Sequence, residues 1–182
     1  MQKRFILALS GSLRESSTNT ALLEAVKLLA PQHVEIQVWN GQGKLPQFTP
    51  DKELFPPQEV QDFRTLLGRT DGLIIACPEY VRGIPGSFKN ALDWLVGGET
   101  FVNKPFALWN ASPRAHHAQD SLRLVLETMS GRCVEEAALD MPLIKLPVTA
   151  QHIAAHPELR LKIETALAKF VQALDADTVV LR

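Results

Sequence analysis

Residues 5–20 have the sequence FILALSGSLRESSTNT, in which an apolar run, a polar loop and the start of an amphipathic segment follow one another. The run at residues 5–9 is continuously apolar, as in a strand that is covered on both faces of a parallel sheet. Apolar residues then recur at helical spacing from Leu22 to Leu29, which predicts a helix over residues 20–29. This stretch therefore predicts a strand, a loop and a helix, the first unit of an α/β fold.

The same alternation continues along the chain. The 40–57 connection is rich in Gly, Pro and Gln and is predicted as a surface loop. Five strand–helix units in 182 residues fit a single domain over residues 1–182. The remaining strands are predicted at residues 34–38, 73–77 and 106–109, with an interrupted one at 137–144, and the remaining helices at residues 57–69, 85–96, 118–129 and 157–174.

Composition, net charge and cysteine content exclude several classes of protein. With 46% hydrophobic and 21% charged residues, the chain has enough apolar material for a core, so disorder, collagen and coiled coil are excluded. A net charge of -1 is neither the basic balance of a nucleic-acid binder nor the acidic one of a small electron carrier. Cys77 and Cys133 form no C-x-x-C pair, so neither a disulfide framework nor a thiolate zinc site is indicated. The apolar run at residues 5–9 is too short for a signal peptide or a membrane span, which predicts a cytoplasmic protein.

The loop after the first strand is dense in hydrogen-bond donors. It carries Ser12, Arg14, Ser17 and Asn19, and it leads into the amino end of a helix, where backbone N–H groups attract anions. It lacks both G-x-G-x-x-G and G-x-x-x-x-G-K-[ST], which favours a monophosphate held mainly by side chains. Ser17 or Asn19 taken alone could simply cap the helix. The four residues together predict a phosphate site.

Two separated loops carry a resemblance to a known family. Residues 11–19, GSLRESSTN, match the pattern G-S-x-R-x-x-S-x-N of the first loop in the NADPH-dependent FMN reductases, a flavodoxin-like group that includes quinone, azo-dye and chromate reductases. Residues 78–94, PEYVRGIPGSFKNALDW, are similar to the family's P-E-Y-N, P-G and K-N-A-[IL]-D-W segment. The resemblance implies a flavodoxin-like, doubly wound five-stranded parallel sheet of order 2-1-3-4-5, with helices on both faces and FMN at the carboxyl ends of the strands.

The resemblance also implies which residues bind FMN, and it implies no catalytic acid or base because the cofactor performs the chemistry. Lys89 and Asp93 are expected to order the second loop or a subunit contact. The cofactor-binding residues are expected in three loops: Ser12, Leu13, Arg14, Ser17, Asn19 and Thr20 in the first, Pro78, Glu79, Tyr80, Val81, Arg82 and Gly83 in the second, and Ser112, Pro113, Arg114 and His117 in the third.

The sequence departs from the family at several of these positions. Val81 replaces the usual Asn, and Arg82 stands where a small or aromatic residue is common. Arg114 and His117 stand where the family commonly has a glycine-rich turn, which predicts a bulkier, more polar wall and leaves open whether flavin binding is weakened. Adjacent histidines at 116 and 117 point apart on a helix and have no evident third ligand, so no metal is expected.

By the resemblance, the protein is a reductase that passes electrons from NADPH or NADH through FMN to a quinone, a free flavin or a similar small-molecule acceptor. A homodimer or homotetramer is expected, with residues 85–94 near the contact and Phe88 and Trp94 on different faces of the helix. One alternative is a non-enzymatic flavin-binding electron carrier or partner protein without NAD(P)H turnover, against which the near-neutral charge argues. Another is a scaffold whose altered third loop no longer admits flavin.

Overall fold

A computed structural model describes residues 2–143 and 149–180 of the chain. Four 3₁₀ turns lie at Gly41–Lys44, Pro50–Lys52, Glu99–Phe101 and Glu135–Ala137. Strands and helices follow in the order β1 (Arg4–Ser10), α1 (Thr18–Leu29), β2 (Val34–Trp39), α2 (Gln58–Gly68), β3 (Gly72–Ala76), α3 (Gly86–Asp93), β4 (Pro105–Asn110), α4 (His116–Thr128), β5 (Arg132–Cys133), β6 (Leu139–Asp140), α5 (Ala150–Ala155) and α6 (Pro157–Val180).

The sheet has the strand order β2-β1-β3-β4-β5, as predicted, and its strand pairs are parallel. In the register of the central strands, Ser10 lies opposite Ala76, and Ala76 lies opposite Trp109. The carboxyl ends of β1, β3 and β4 therefore meet at one edge, so the three loops that follow these strands are neighbours.

The last strand differs from the prediction. A single strand was expected over residues 137–144, but two two-residue strands, β5 and β6, both pair with β4, and the Glu135–Ala137 turn separates them. The carbonyl oxygen of Ala137 accepts a hydrogen bond from the indole N–H of Trp109 at 3.0 Å, so a side chain rather than a neighbouring strand satisfies the backbone there. Residue 144, the end of the predicted strand, lies outside the described residues.

Helices cover both faces of the sheet, as predicted. Alternate residues of β1 belong to two separate cores: Ile6 and Ala8 pack with α1, α5 and α6, whereas Leu7 and Leu9 pack with α2, α3 and α4. The long α6 is joined to β1 by the buried Arg4, which donates to Asp175.

Phe88 and Trp94 were expected on different faces of a helix near the subunit contact, and this is wrong. Both side chains are fully buried in the α2–α3–α4 core. The reason is that α3 ends at Asp93, so Trp94 lies in the following turn and leaves the spacing of the helix. Neither residue is available for a subunit contact.

The structure also corrects the predictions for the 40–57 connection and for the last helices. The 40–57 connection is not wholly a surface loop, because Gln42 and Leu45 are buried. The short helix α5 precedes α6 and was not predicted, and α6 extends beyond the predicted residue 174. Among the described residues, no helix is both long enough and apolar enough to cross a membrane.

Candidate cofactor site

An open cleft of about 250 Å³ lies at the carboxyl edge of the sheet. All three loops that were predicted to bind a cofactor contribute to it. Its lining comprises Ser12, Arg14, Ser17, Thr18 and Asn19 from the first loop and the start of α1, Pro78 and Tyr80 after β3, Ala111, Ser112 and Pro113 after β4, and Leu143 after β6.

The first loop is held close to the sheet by short polar contacts. The N–H of Gly11 donates to the carbonyl of Ala76 at 2.9 Å, and a Cβ on Gly11 would lie only 2.6 Å from the sulfur of Cys77. The hydroxyl groups of Ser10 and Thr20 are 2.7 Å apart, which ties the end of β1 to α1. Glycine at position 11 is therefore required by the close approach of two backbones.

The amino end of α1 presents free polar groups to the cleft. Ser17 caps the helix, its hydroxyl accepting from the N–H of Thr20 at 3.3 Å, and it also lines the cleft, so the capping and binding interpretations are compatible. Asn19 is buried, and its side-chain oxygen has no hydrogen-bond partner in the part of the chain that the structure describes. Arg14 forms no ion pair with any described residue.

This donor set fits the phosphate end of a flavin mononucleotide. An unpaired guanidinium, three hydroxyl side chains (Ser12, Ser17 and Thr18) and a helix amino end line the same part of the cleft, where a dianion would be stabilised. The unpartnered Asn19 oxygen can accept from a sugar hydroxyl, and a half-turn of the amide would instead let its NH₂ group donate to a phosphate.

A larger groove of about 520 Å³ lies between α1 and α6 and does not fit this ligand. Its walls are mainly apolar, with Leu29, Leu167 and Val171 among them, and its carboxylates are Glu164 and Asp175. Carboxylates repel a phosphate, so the smaller, donor-rich cleft is the better candidate.

The second loop folds as a two-residue turn. Tyr80 and Gly83 exchange backbone hydrogen bonds of 3.0 Å, and Val81 (φ 50°) and Arg82 (φ 59°) occupy the left-handed region between them. A type I′ turn requires positive φ at both central residues and strongly prefers Asn-Gly. Val81 is fully exposed, so no packing contact compensates for its unfavourable backbone conformation.

We expect the double substitution Val81→Asn and Arg82→Gly to stabilise the protein by about 1 kcal/mol, because it relieves the strain of two non-glycine residues at positive φ. This corresponds to a rise in Tm of roughly 2–4 °C for a chain of this length. Val102→Asn is the matched control, since Val102 is also exposed but has φ -60°. Thermal unfolding that shows equal effects at both sites would contradict the strain argument.

Glu79 has a structural partner. Its carboxylate accepts a hydrogen bond of 3.0 Å from the N–H of Ala118 in the first turn of α4, where a negative charge also complements the helix dipole. Glu79 thus links the second loop to α4, and it forms no ion pair with Arg82 or Arg114 in the described structure.

The third loop is organised by Asn110. The Asn110 oxygen accepts from the N–H of Ser112 at 3.0 Å, and its NH₂ group donates to Asp140 at 3.1 Å. Ser112 in turn accepts from the N–H of Arg114 at 3.3 Å. Arg114 itself and His117, which lies in α4, are exposed and do not line the cleft.

The cleft therefore gathers half of the predicted binding residues. Sequence reasoning missed three residues that line it: Thr18, Ala111 and Leu143. Thr18 belongs to the same hydroxyl-rich loop and could have been included, whereas Leu143 lies in the segment that was predicted as part of a strand and follows the shorter β6 instead. The predicted residues in the cleft are Ser12, Arg14, Ser17, Asn19, Pro78, Tyr80, Ser112 and Pro113; those outside it are Leu13, Thr20, Glu79, Val81, Arg82, Gly83, Arg114 and His117.

Cys77 lies directly behind the first loop, and its side chain is buried. Burial raises the pKa of its thiol to about 12, so almost none of the reactive thiolate forms at pH 8. We expect the Cys133→Ser variant to show no thiol reactive towards Ellman's reagent at pH 8 until denaturant is added. Rapid labelling of Cys77 in the folded variant would show that the first loop opens away from β3.

Comparison with known proteins gives consistent results. The sequence profile of a family described as NADPH-dependent FMN reductase matches residues 5–142. A quinone reductase of Pseudomonas putida is 31% identical over 141 residues, which are 75% of this chain and 72% of that protein. A 2-hydroxy-1,4-benzoquinone reductase of a Burkholderia species is 34% identical over 112 residues, which are 60% of this chain and 57% of the relative.

A solved structure shows the same fold. The flavoenzyme NAD(P)H:(acceptor) oxidoreductase of Paracoccus denitrificans superimposes with a TM-score of 0.76 at 23% identity, covering 95% of this chain and 98% of that one. Its sheet and helices thus correspond to those of this chain along almost the whole length.

Proposed function

The chain belongs to the NADPH-dependent FMN reductase family, with FMN as cofactor and NAD(P)H as electron donor, and from this premise we propose that its acceptor is a quinone. The observation that supports binding at the cleft is the unpaired Arg14 beside the hydroxyl groups and amino end of α1. When bound, FMN would supply the redox chemistry between NAD(P)H and the acceptor.

We propose a separate role for the residues on each side of the cleft. Arg14, Ser17 and Asn19 would hold the phosphate, and Ser12 would do so through a hydroxyl that already orders the loop. Pro78 and Tyr80 would lie along one side of the flavin, and Ser112 and Pro113 along the other. The predicted binding residues that do not line the cleft would act at its rim or by ordering the three loops that form it.

A flat aromatic acceptor suits the open side of this cleft. Tyr80 lines the cleft and is 46% exposed, so its ring offers a surface on which a planar molecule can stack. Two of the relatives are named as reductases of quinones, which supports the same class of acceptor.

The test is steady-state oxidation of NADPH and NADH by the FMN-loaded protein with 1,4-benzoquinone. We expect turnover that depends on all three components. Stoichiometric FMN binding without NAD(P)H consumption would contradict the proposal and favour an electron carrier. A purified protein that does not bind FMN would favour a scaffold without flavin.

We also propose a homodimer or a homotetramer built from dimers. The buried positions of Phe88 and Trp94 remove them as contacts, but Leu54 and Phe55 are 85% and 88% exposed on the loop before α2. Exposed apolar pairs of this kind are typical of interfaces. Sedimentation velocity at micromolar concentration should show an oligomer that Phe55→Ser weakens; a monomer alone would contradict it.

A cytoplasmic location and a single domain are part of the same proposal. Cys77 and Cys133 are both free, as is usual in a reducing compartment. Because one sheet joins the two helical layers of the described residues, we propose that residues 1–182 form one folding unit.

A further inference from the structure

We propose that residues 41–48 form a strap that fixes the first cofactor loop relative to α3, and that Gln42 and Asn90 are positioning residues for the FMN site. The inference rests on the proposed FMN site and adds two residues that do not line the cleft. It starts from the 40–57 connection, which is long, has only 3₁₀ turns and is partly buried. Connections of this length inside a compact domain are usually functional.

One end of the strap holds the start of the first loop. Gln42 is 1% exposed, and its NH₂ group donates to the carbonyl of Ser10 at 2.8 Å. Strand β2 ends at Trp39, which pairs with Leu9, so Ser10 lies one residue beyond the last pair of the β1–β2 ladder. The Gln42 amide therefore supplies the donor that β2 no longer provides, at the residue where β1 becomes the first loop.

A second contact reinforces this end. A Cβ on Gly43 would lie 3.0 Å from a methyl group of Leu13, so the Leu13 side chain rests directly on the strap. Leu13 precedes Arg14, the residue proposed to hold the phosphate. The strap thus contacts the first loop on both sides of Ser12.

The other end of the strap is bound to α3. Asn90 donates to the carbonyl of Pro46 at 3.0 Å and accepts from the N–H of Phe48 at 2.8 Å. The indole N–H of Trp94 donates to the same carbonyl at 2.8 Å, and its ring meets Phe48 edge to face. Helix α3 begins three residues after Gly83, at the end of the Tyr80 turn, so this end is connected to the flavin side of the cleft.

The hydrogen bonds of the Gln42 side chain explain why this position is a glutamine. Its side-chain oxygen is buried and has no partner among the described residues, which costs free energy. An apolar residue would avoid this cost in a purely packing role. Glutamine is therefore explained by the bond that it donates to the carbonyl of the buried Ser10.

The two ends of the strap predict different ligand effects. Gln42→Leu, which keeps the size of the side chain and removes the donor, should raise the Kd for FMN about tenfold and the Kd for riboflavin less than twofold, because it loosens only the phosphate end. Gln42→Asn is a milder second variant, too short to keep the 2.8 Å bond, and it should change the FMN-to-riboflavin ratio in the same direction. Asn90→Ala should weaken FMN and riboflavin by similar factors.

Thr70→Val is the matched control, since it removes a buried side-chain hydrogen bond to the Leu67 carbonyl just before β3, at the opposite edge of the sheet. It should lower Tm without changing the Kd ratio of the two flavins. If both Gln42 variants keep the parent's ratio of FMN Kd to riboflavin Kd while Arg14→Ala changes this ratio, the strap proposal is wrong and the proposed FMN site stands. If Arg14→Ala also keeps the ratio, the phosphate site itself is wrong.

Discussion

Replacing Arg14 by alanine should weaken FMN binding at least tenfold and leave riboflavin binding nearly unchanged. The guanidinium lines the cleft and has no carboxylate partner in the described structure, so it is available for a phosphate. A hydrogen bond to a charged group contributes about 1.5–3 kcal/mol, and the upper part of this range corresponds to a factor of about one hundred. Riboflavin lacks the phosphate, so its Kd should not depend on the Arg14 side chain.

The measurement is a fluorescence titration of the apoprotein with each flavin. Arg69→Ala is the matched control, because Arg69 is an exposed arginine after α2 that does not line the cleft and is not among the predicted binding residues. It removes the same charge and should change FMN affinity by less than about threefold, as expected for a screened exposed charge. Equal effects of the two substitutions would contradict a specific phosphate contact and favour a general effect of net charge.

The largest effect on stability is expected for Arg4→Ala. Arg4 is 5% exposed; it bonds to Asp175 through two nitrogens, at 2.9 and 2.7 Å, and to Asp71 at 3.2 Å. It also donates to the Leu174 carbonyl at 3.0 Å, so one side chain joins β1, the start of β3 and α6. Because the Asp71 and Asp175 side chains are 32% and 48% exposed, the loss should be smaller than the about 3–5 kcal/mol of a fully buried pair. A cost of about 2–3 kcal/mol lowers Tm by roughly 4–12 °C in a chain of this length.

Arg160→Ala provides the control for that experiment. Arg160 pairs with Glu164 on the surface of α6, where the two side chains are 56% and 40% exposed. Surface pairs at this spacing contribute about 0.3–0.5 kcal/mol, so the expected change in the free energy of unfolding is small. Denaturant titrations that give similar losses for both variants would show that the Arg4 network does not anchor α6.

The sequence predicts the parts of the fold that local patterns determine. The central strands are continuous apolar runs, and α1 follows a loop with its own cap, so β1, the first loop and α1 are all found where expected. Helix α1 begins at Thr18, two residues earlier than predicted, because Ser17 is the cap. Strand β6 lies inside the predicted segment 137–144, but its two-residue length and the separate strand β5 could not be predicted, since two residues carry no periodicity and only the pairing with β4 defines them.

The cleft could be predicted in outline but not in its boundaries. Donor-rich loops after β1, β3 and β4 identify the edge of the sheet, because the carboxyl ends of parallel strands converge there. Which side chains turn into the cleft depends on the backbone, however. Val81 and Arg82 are directed by a strained turn that their residue types would not predict, and the burial of Gln42 depends on a bond to Ser10 that no sequence pattern encodes.

The central claim is that the first loop and the start of α1 bind the phosphate of FMN. A crystal structure of the FMN complex tests it most directly. We expect one FMN per chain, with phosphate oxygens within hydrogen-bonding distance of Arg14 and of at least two of Ser12, Ser17 and Asn19. A phosphate bound elsewhere, or a flavin in the groove between α1 and α6, would contradict it.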